Sequence, residues 1–268
     1  MLSQAIQNTK SLADQVVGIK GLGGPAAACI VHTQNFDAAE VPELSGLQKS
    51  TATFAQAALS TVSDLLNRLN GGTPASQLAG QLDQLKTQLD QLSTQAQTVD
   101  GRMSSYRTMF NTDVASLAQY AAALGGEVKK YQSLQQHYAS EAASIKKRMD
   151  VINGVSVVFP IAKLVSELAS LVTASKTTEA MLSDAAGNVG KYSAQAAQAN
   201  ATEAMVKQLS ADVSRLADAV QSARNAITIT EQKLANESEF TSSAESGASV
   251  LYLNSLQSSF AQLEIIAT

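Results

Sequence analysis

Few residues in this chain have types and spacing suited to chemistry. Cys29 and His32 lie three apart, as a pair of metal ligands can. A closed zinc site needs about four ligands, usually from two such pairs. No second pair follows, so a buried structural cysteine and a capping or surface histidine is the expected reading. The other histidine, His137, lies in an unrelated context with no acid or thiol placed around it in a motif. The glycine-rich GLGGP before Ala26 lacks the Lys-Ser/Thr and the flanking strand of a phosphate loop. The acidic residues are scattered along polar helix faces. These patterns predict no enzyme, no cofactor and no metal.

The stretch from Val151 to Val172, VINGVSVVFPIAKLVSELASLV, carries a different chemistry. It has no charge between Asp150 and Lys163, and polar, helix-forming sequence flanks it on both sides. A spanning helix needs about 20 consecutive apolar residues. The uncharged run here is twelve, Val151 to Ala162, and Asn153, Gly154 and Pro160 break it. From Ile161 onward, Leu164, Val165, Leu168, Leu171 and Val172 share one helical face, opposite Lys163, Ser166, Glu167 and Ser170. That is an amphipathic helix suited to lying in a bilayer interface. Val155, Val157, Val158 and Phe159 form a blunt apolar tip before it, and Val151 and Ile152 belong to the same membrane-binding head. Lys146, Lys147 and Arg148 precede the tip, and Lys163 and Lys176 follow, placed to meet anionic head groups. A soluble chain would hide so large an apolar patch until it is needed. Contact with a membrane is the expected use, and burial against another copy or a partner is the alternative.

The elements around this head are helical. Ala, Gln, Ser and Leu dominate, there is no Trp, and only four prolines occur in 268 residues, which disfavours a β-sandwich or barrel. The net charge of −4, with no basic face, excludes nucleic acid as the expected partner. One cysteine excludes an intramolecular disulfide. The N-terminal sequence MLSQAIQNTK lacks the basic start and apolar run of a cleavable signal peptide, so export would use another route.

Leu2, Ile6, Thr9, Ala13 and Val16 predict a first amphipathic helix that stops at Gly18. Ala26 to His32 is an apolar run readable as a helical turn or a strand. A helix follows Pro42, with Leu44, Leu47, Thr51, Phe54, Ala58, Leu65 and Leu69 on one face, and Asn70–Pro74 ends it. From Leu78 to Met149, apolar or small residues recur in alternating steps of four and three, a coiled-coil-like seam. A helix of that length runs roughly 110 Å at 1.5 Å per residue, which predicts a rod. Gly101 and the pair Gly125–Gly126 are the expected places for any break. A second seam runs from Leu182 to Leu234, so the two predict an antiparallel hairpin of long helices. With the apex near Val157, Gly187 and Gly190 would fall level with Gly125 and Gly126. That makes the four glycines a candidate hinge, with close helix packing as the equal alternative. Glu237–Gly247 reads as a turn, and a last helix presents Val250, Leu253, Leu256, Phe260 and Leu263. The expected fold is an all-α, elongated bundle of about five helices. Residues 1–150 and 175–268 form the tail and 151–174 the head.

This arrangement of short helices, two long antiparallel helices and an apolar head between KKRMD and TASK resembles the α-helical pore-forming toxins. That group includes cytolysin A, the haemolysin BL and non-haemolytic enterotoxin components and the tripartite toxins of Gram-negative bacteria. The resemblance covers the whole chain and rests on architecture rather than a short motif. The head is shorter than in members that line the pore, and it carries Lys163 and Glu167. In this it resembles the C component of the tripartite toxins. The resemblance implies a secreted, non-enzymatic subunit that enters one leaflet of a target-cell membrane, recruits partner toxin subunits and hides its head in a homo-oligomer beforehand. A self-sufficient pore former and a coiled-coil secretion or translocon component are the alternatives.

Overall fold

A computed structural model of the chain describes residues 1–19, 24–154, 161–236, 240 and 246–268, with side chains for all of these except 151–154, 161–168 and 246. Six α-helices account for nearly all of them: α1 (Leu2–Val17), α2 (Pro25–Asn35), α3 (Val41–Asn70), α4 (Ala79–Gly154), α5 (Ile161–Ala235) and α6 (Ser246–Ala267). A π-helical turn, Phe36–Glu40, joins α2 to α3, so these two run on as one stretch and five helical stretches result. Among the described residues there is no strand. The Ala26–His32 run is therefore helical. Pro25 opens α2 at a position where its missing N–H costs nothing, behind Gly24 at φ 60°. Gly71 and Gly72, the latter at φ 89°, close α3 as the Asn70–Pro74 signal predicts.

The chain divides into two compact units. The first comprises Met1–Val114 with Ala204–Thr268, and the second comprises Ala115–Glu203. In the first unit α1, α2, α3 and α6 surround the base ends of α4 and α5. Its core is the predicted seams: Leu44, Leu47, Leu65, Leu89, Val99, Phe110, Val213, Leu216 and Phe260 are all fully buried. Fully burying a side chain of this kind contributes roughly 1.5–3 kcal/mol. Edge-to-face aromatic contacts tie the layers, Phe54 to Phe260 at 5.6 Å and Phe36 to Tyr106 and Phe110 at 5.2 and 5.7 Å. The turn predicted over Glu237–Gly247 lies mostly outside the described residues. Its Phe240 is buried, and Ser249 Oγ donates to the Phe240 carbonyl at 3.0 Å.

The second unit is the head-ward part of α4 and α5 alone. Ala121, Leu124 and Ala199 make its buried cluster, with Tyr120, Tyr192 and Ala196 packed on it. Further toward the head, seam residues Leu134, Tyr138, Leu182 and Val189 are only half-buried. A two-helix seam has nothing on its flanks to cover it.

No break occurs at Gly101 or at Gly125–Gly126, because α4 is continuous through all three. Each glycine costs about 1 kcal/mol against alanine, spread over a helix whose propagation is cooperative and whose seam is packed on both sides.

Candidate functional site

The candidate head occupies the end of α4, the start of α5 and the residues between. Val151 and Ile152 lie in the last turn of α4, and Ile161, Lys163, Leu164, Val165 and Leu168 lie in the first turns of α5; their backbone is helical and their side chains are outside the description. Val155, Val157, Val158 and Phe159 lie outside the described residues. Leu171 is half-buried, and Val172 is 37% exposed. Among the described residues, no helix is long and apolar enough to cross a membrane.

Ile145 is the last well-buried side chain among the described residues of α4. The next three residues, Lys146, Lys147 and Arg148, are all exposed, as is Lys176 on α5. No hydrogen bond or ion pair occupies Lys146, Lys147, Arg148 or Lys176 among the described residues. Three consecutive helical residues spread over most of the circumference. The cations thus form a collar around α4 rather than a stripe, suited to a surface of diffuse negative charge.

The glycines do not lie at one height. Tyr131 and Tyr192 stack with ring centroids 5.4 Å apart and planes 14° apart, and this fixes the register of α4 against α5. Gly190, two residues from Tyr192, then stands opposite about residue 133, roughly 12 Å along the axis from Gly125 and Gly126. Leu124, next to Gly125, packs instead in a cluster with Ala199. The apex expected near Val157 lies outside the described residues. A Cβ added at Gly125, Gly126, Gly187 or Gly190 would meet nothing within 4 Å. Close packing of the two helices therefore does not explain the glycines.

Cys29 and His32 belong to the first unit, and His137 to the second. Cys29 is fully buried, and its thiol is pushed up to about 12 by burial and by the charge of Asp113, far from the range of a reactive thiolate. His32 Nδ1 lies 3.0 Å from an Asp113 carboxylate oxygen that is itself buried. This acid partner is 81 residues away on α4, where no local motif could announce it. Thr33 Oγ1 donates to the Cys29 carbonyl at 2.9 Å. Among the described residues, no three His, Cys, Asp or Glu are placed to share an ion. His137 lies edge-on to Tyr138 at 5.4 Å.

A second buried acid marks the π turn. Glu40 is 1% exposed, with one oxygen 3.4 Å from Arg102 Nε, and Glu43 shares the same guanidinium at 3.3 Å. Burial first, and Glu43 against the opposing pull of Arg102, holds the Glu40 carboxyl above its ordinary value. Glu40 lies four residues after Phe36 and four before Leu44, on the buried face of this stretch.

The comparisons place this geometry in a fold class. No family model and no curated protein sequence matches the chain. Its structure does match: the chain has the fold of the α-helical pore-forming toxins. It is similar to the soluble AhlC triple head mutant of the tripartite α-pore-forming toxin AHL from Aeromonas hydrophila, with a TM-score of 0.85 at 17% identity over 100% of this chain and 97% of that one. The AhlB pore of the same toxin matches with a TM-score of 0.60 at 11% identity over 99% and 92%. The HblL1 toxin component of Bacillus cereus matches with a TM-score of 0.54 at 10% identity over 99% and 93%.

Proposed function

We propose that this chain is a non-enzymatic, secreted, membrane-binding subunit of a multi-component α-helical pore-forming toxin. The full-length likeness to the AhlC fold carries the reading, and the short apolar head between two long helices supports it. In this reading residues 151–174 enter one leaflet. Lys146, Lys147, Arg148, Lys163 and Lys176 meet the lipid head groups, and partner subunits complete the pore. In solution a homo-oligomer covers Val157, Val158, Phe159 and Leu164. Gly125, Gly126, Gly187 and Gly190 form two separate soft points, about 12 Å apart along the axis, at which the two-helix unit bends as the head leaves its cover.

Vesicle flotation and dye release test this. The wild-type chain binds vesicles but releases no dye until the products of neighbouring genes are added. A variant with Val157→Asp, Val158→Asp, Phe159→Ser and Leu164→Ser loses binding and lysis together; if it keeps both, the head is not the membrane element. Dye release by the chain alone would favour a self-sufficient pore former. Absence of lipid binding with a defined protein covering the head would favour a secretion component.

A further inference from the structure

In the second unit, α4 and α5 flank an open, solvent-facing cavity of about 400 Å³, lined by residues that include Tyr131, Leu134, Tyr138, Met181, Asp184 and Ala185. Its composition differs from the rest of the seam. Two phenol rings, Tyr131 and Tyr138, stand two turns apart on α4. The stack of Tyr131 on Tyr192 sets the register, so Asp184 falls level with Tyr138, seven to eight residues nearer the head than Tyr192. One carboxylate oxygen of Asp184 accepts from Asn188 Nδ2 at 3.2 Å. The floor is aliphatic, and Met181 is 45% exposed at the rim.

We infer that this cavity binds a quaternary ammonium group, the choline of a phosphocholine head group. The inference rests on the membrane reading above and names the lipid class. A trimethylammonium cation spreads its charge over its methyl groups and sheds water easily. It gains from aromatic faces, from a carboxylate and from apolar contact at once. A primary ammonium holds its hydration shell and has no use for the aliphatic floor. The nearby charges agree with a zwitterionic ligand. Exposed Lys176 stands head-ward of the cavity, about 12 Å along α5 from Asp184, on the side where the phosphate would lie. At the other end Lys130 is 5.4 Å from the Tyr131 ring centroid, but its charge is offset by Glu127 at 3.3 Å. Lys191 similarly sits over Tyr192, outside the cavity. Tyr138 and Asp184 therefore form the cation end of the cavity.

The test is calorimetric titration of the intact chain with phosphocholine, phosphoethanolamine and inorganic phosphate, beside flotation on phosphatidylcholine and phosphatidylglycerol vesicles. Phosphocholine is expected to bind and the other two not. Tyr138→Ala and Asp184→Asn are each expected to weaken it by about tenfold, while Tyr138→Phe, which keeps the ring, retains it. Asp184 is exposed, so its variant is read without concern for folding, and circular dichroism checks Tyr138→Ala. Equal response to phosphocholine and phosphoethanolamine, or an unaffected Asp184→Asn, overturns the inference. So does self-association, seen by sedimentation, that Met181→Lys breaks and phosphocholine does not, because the cavity is then a seat for a second copy. The head variant separates the two ideas: phosphocholine binding that survives while vesicle binding is lost supports the cavity and the head alike. Wild-type flotation with no phosphocholine binding leaves the head standing and removes the cavity, and phosphocholine binding without wild-type flotation does the reverse.

Discussion

The same two helices behave differently in the two units of this molecule. Within Met1–Val114 and Ala204–Thr268, the seam residues of α4 and α5, from Leu78 to Phe110 and from Val206 to Leu234, are almost all buried. Within Ala115–Glu203 the same spacing of the same residue types leaves Leu134, Tyr138, Leu182 and Val189 half-exposed, and the buried apolar side chains among the described residues are Leu117, Ala121, Leu124, Ile145, Ala185 and Ala199. The heptad pattern sets which face points inward. The number of neighbouring helices sets how much water that face loses. One unit therefore holds the fold, and the other has the low packing density expected of an element that moves or binds.

The contrast predicts a large difference in sensitivity. Phe110→Ala, which empties a fully buried site against Phe36 of the π turn, is expected to cost about 3–5 kcal/mol in urea unfolding. Leu134→Ala is expected to cost about 1 kcal/mol, because much of that side chain already meets water. Equal costs would show that something beyond the two helices covers Leu134 in solution. Gly125→Ala and Gly126→Ala come next. No atom lies within 4 Å of either new Cβ, so each is expected to stabilise the second unit by about 1 kcal/mol, read as slowed amide exchange around residues 120–130. If the glycines bend during insertion, the double variant binds vesicles as before but lyses more slowly. If lysis is unchanged, they are not a hinge.

The smallest expected effect is at Glu40. Its carboxyl is held above its ordinary value in the folded chain, so the folded state takes up this proton more readily than the unfolded one. The stability it contributes is full below the ordinary carboxyl pKa and is lost as pH rises through the raised folded value. Glu40→Gln is therefore expected to stabilise the first unit slightly at neutral pH, with the difference from wild type vanishing on acidification in thermal melts. A Glu40→Gln chain that is weaker at pH 7 would show that the pairing with Arg102 outweighs the cost of burial.

Much of this was legible in the chain itself. Leu44 through Leu69 and Leu253 through Leu263 lie on the faces their spacing predicts, because a helix repeats every 3.6 residues whatever surrounds it. The stop at Gly71–Gly72 was legible for the same local reason. The pairing of His32 with Asp113 was not, since it joins residues 81 apart on different helices. The burial of Glu40 was hidden as well: its spacing from Phe36 and Leu44 puts it on the buried face, but a carboxylate is ordinarily expected at the surface. The candidate head was legible as composition: an apolar run broken by Asn153, Gly154 and Pro160 between cationic flanks. Its cavity neighbour was not, because Tyr138 and Asp184 come level only once the register is set.

The sequence by itself determined the helices, their buried faces and the position of the apolar head between them, all consequences of local periodicity and hydropathy. Only the tertiary structure decided the register of α4 against α5, and with it the offset of the glycines and the meeting of Tyr138 with Asp184. A heptad seam is nearly indifferent to slipping by one repeat. Specific contacts such as Tyr131 on Tyr192, Asn111 with Ser210 and Asp100 with Arg224 select one register among several that bury similar area.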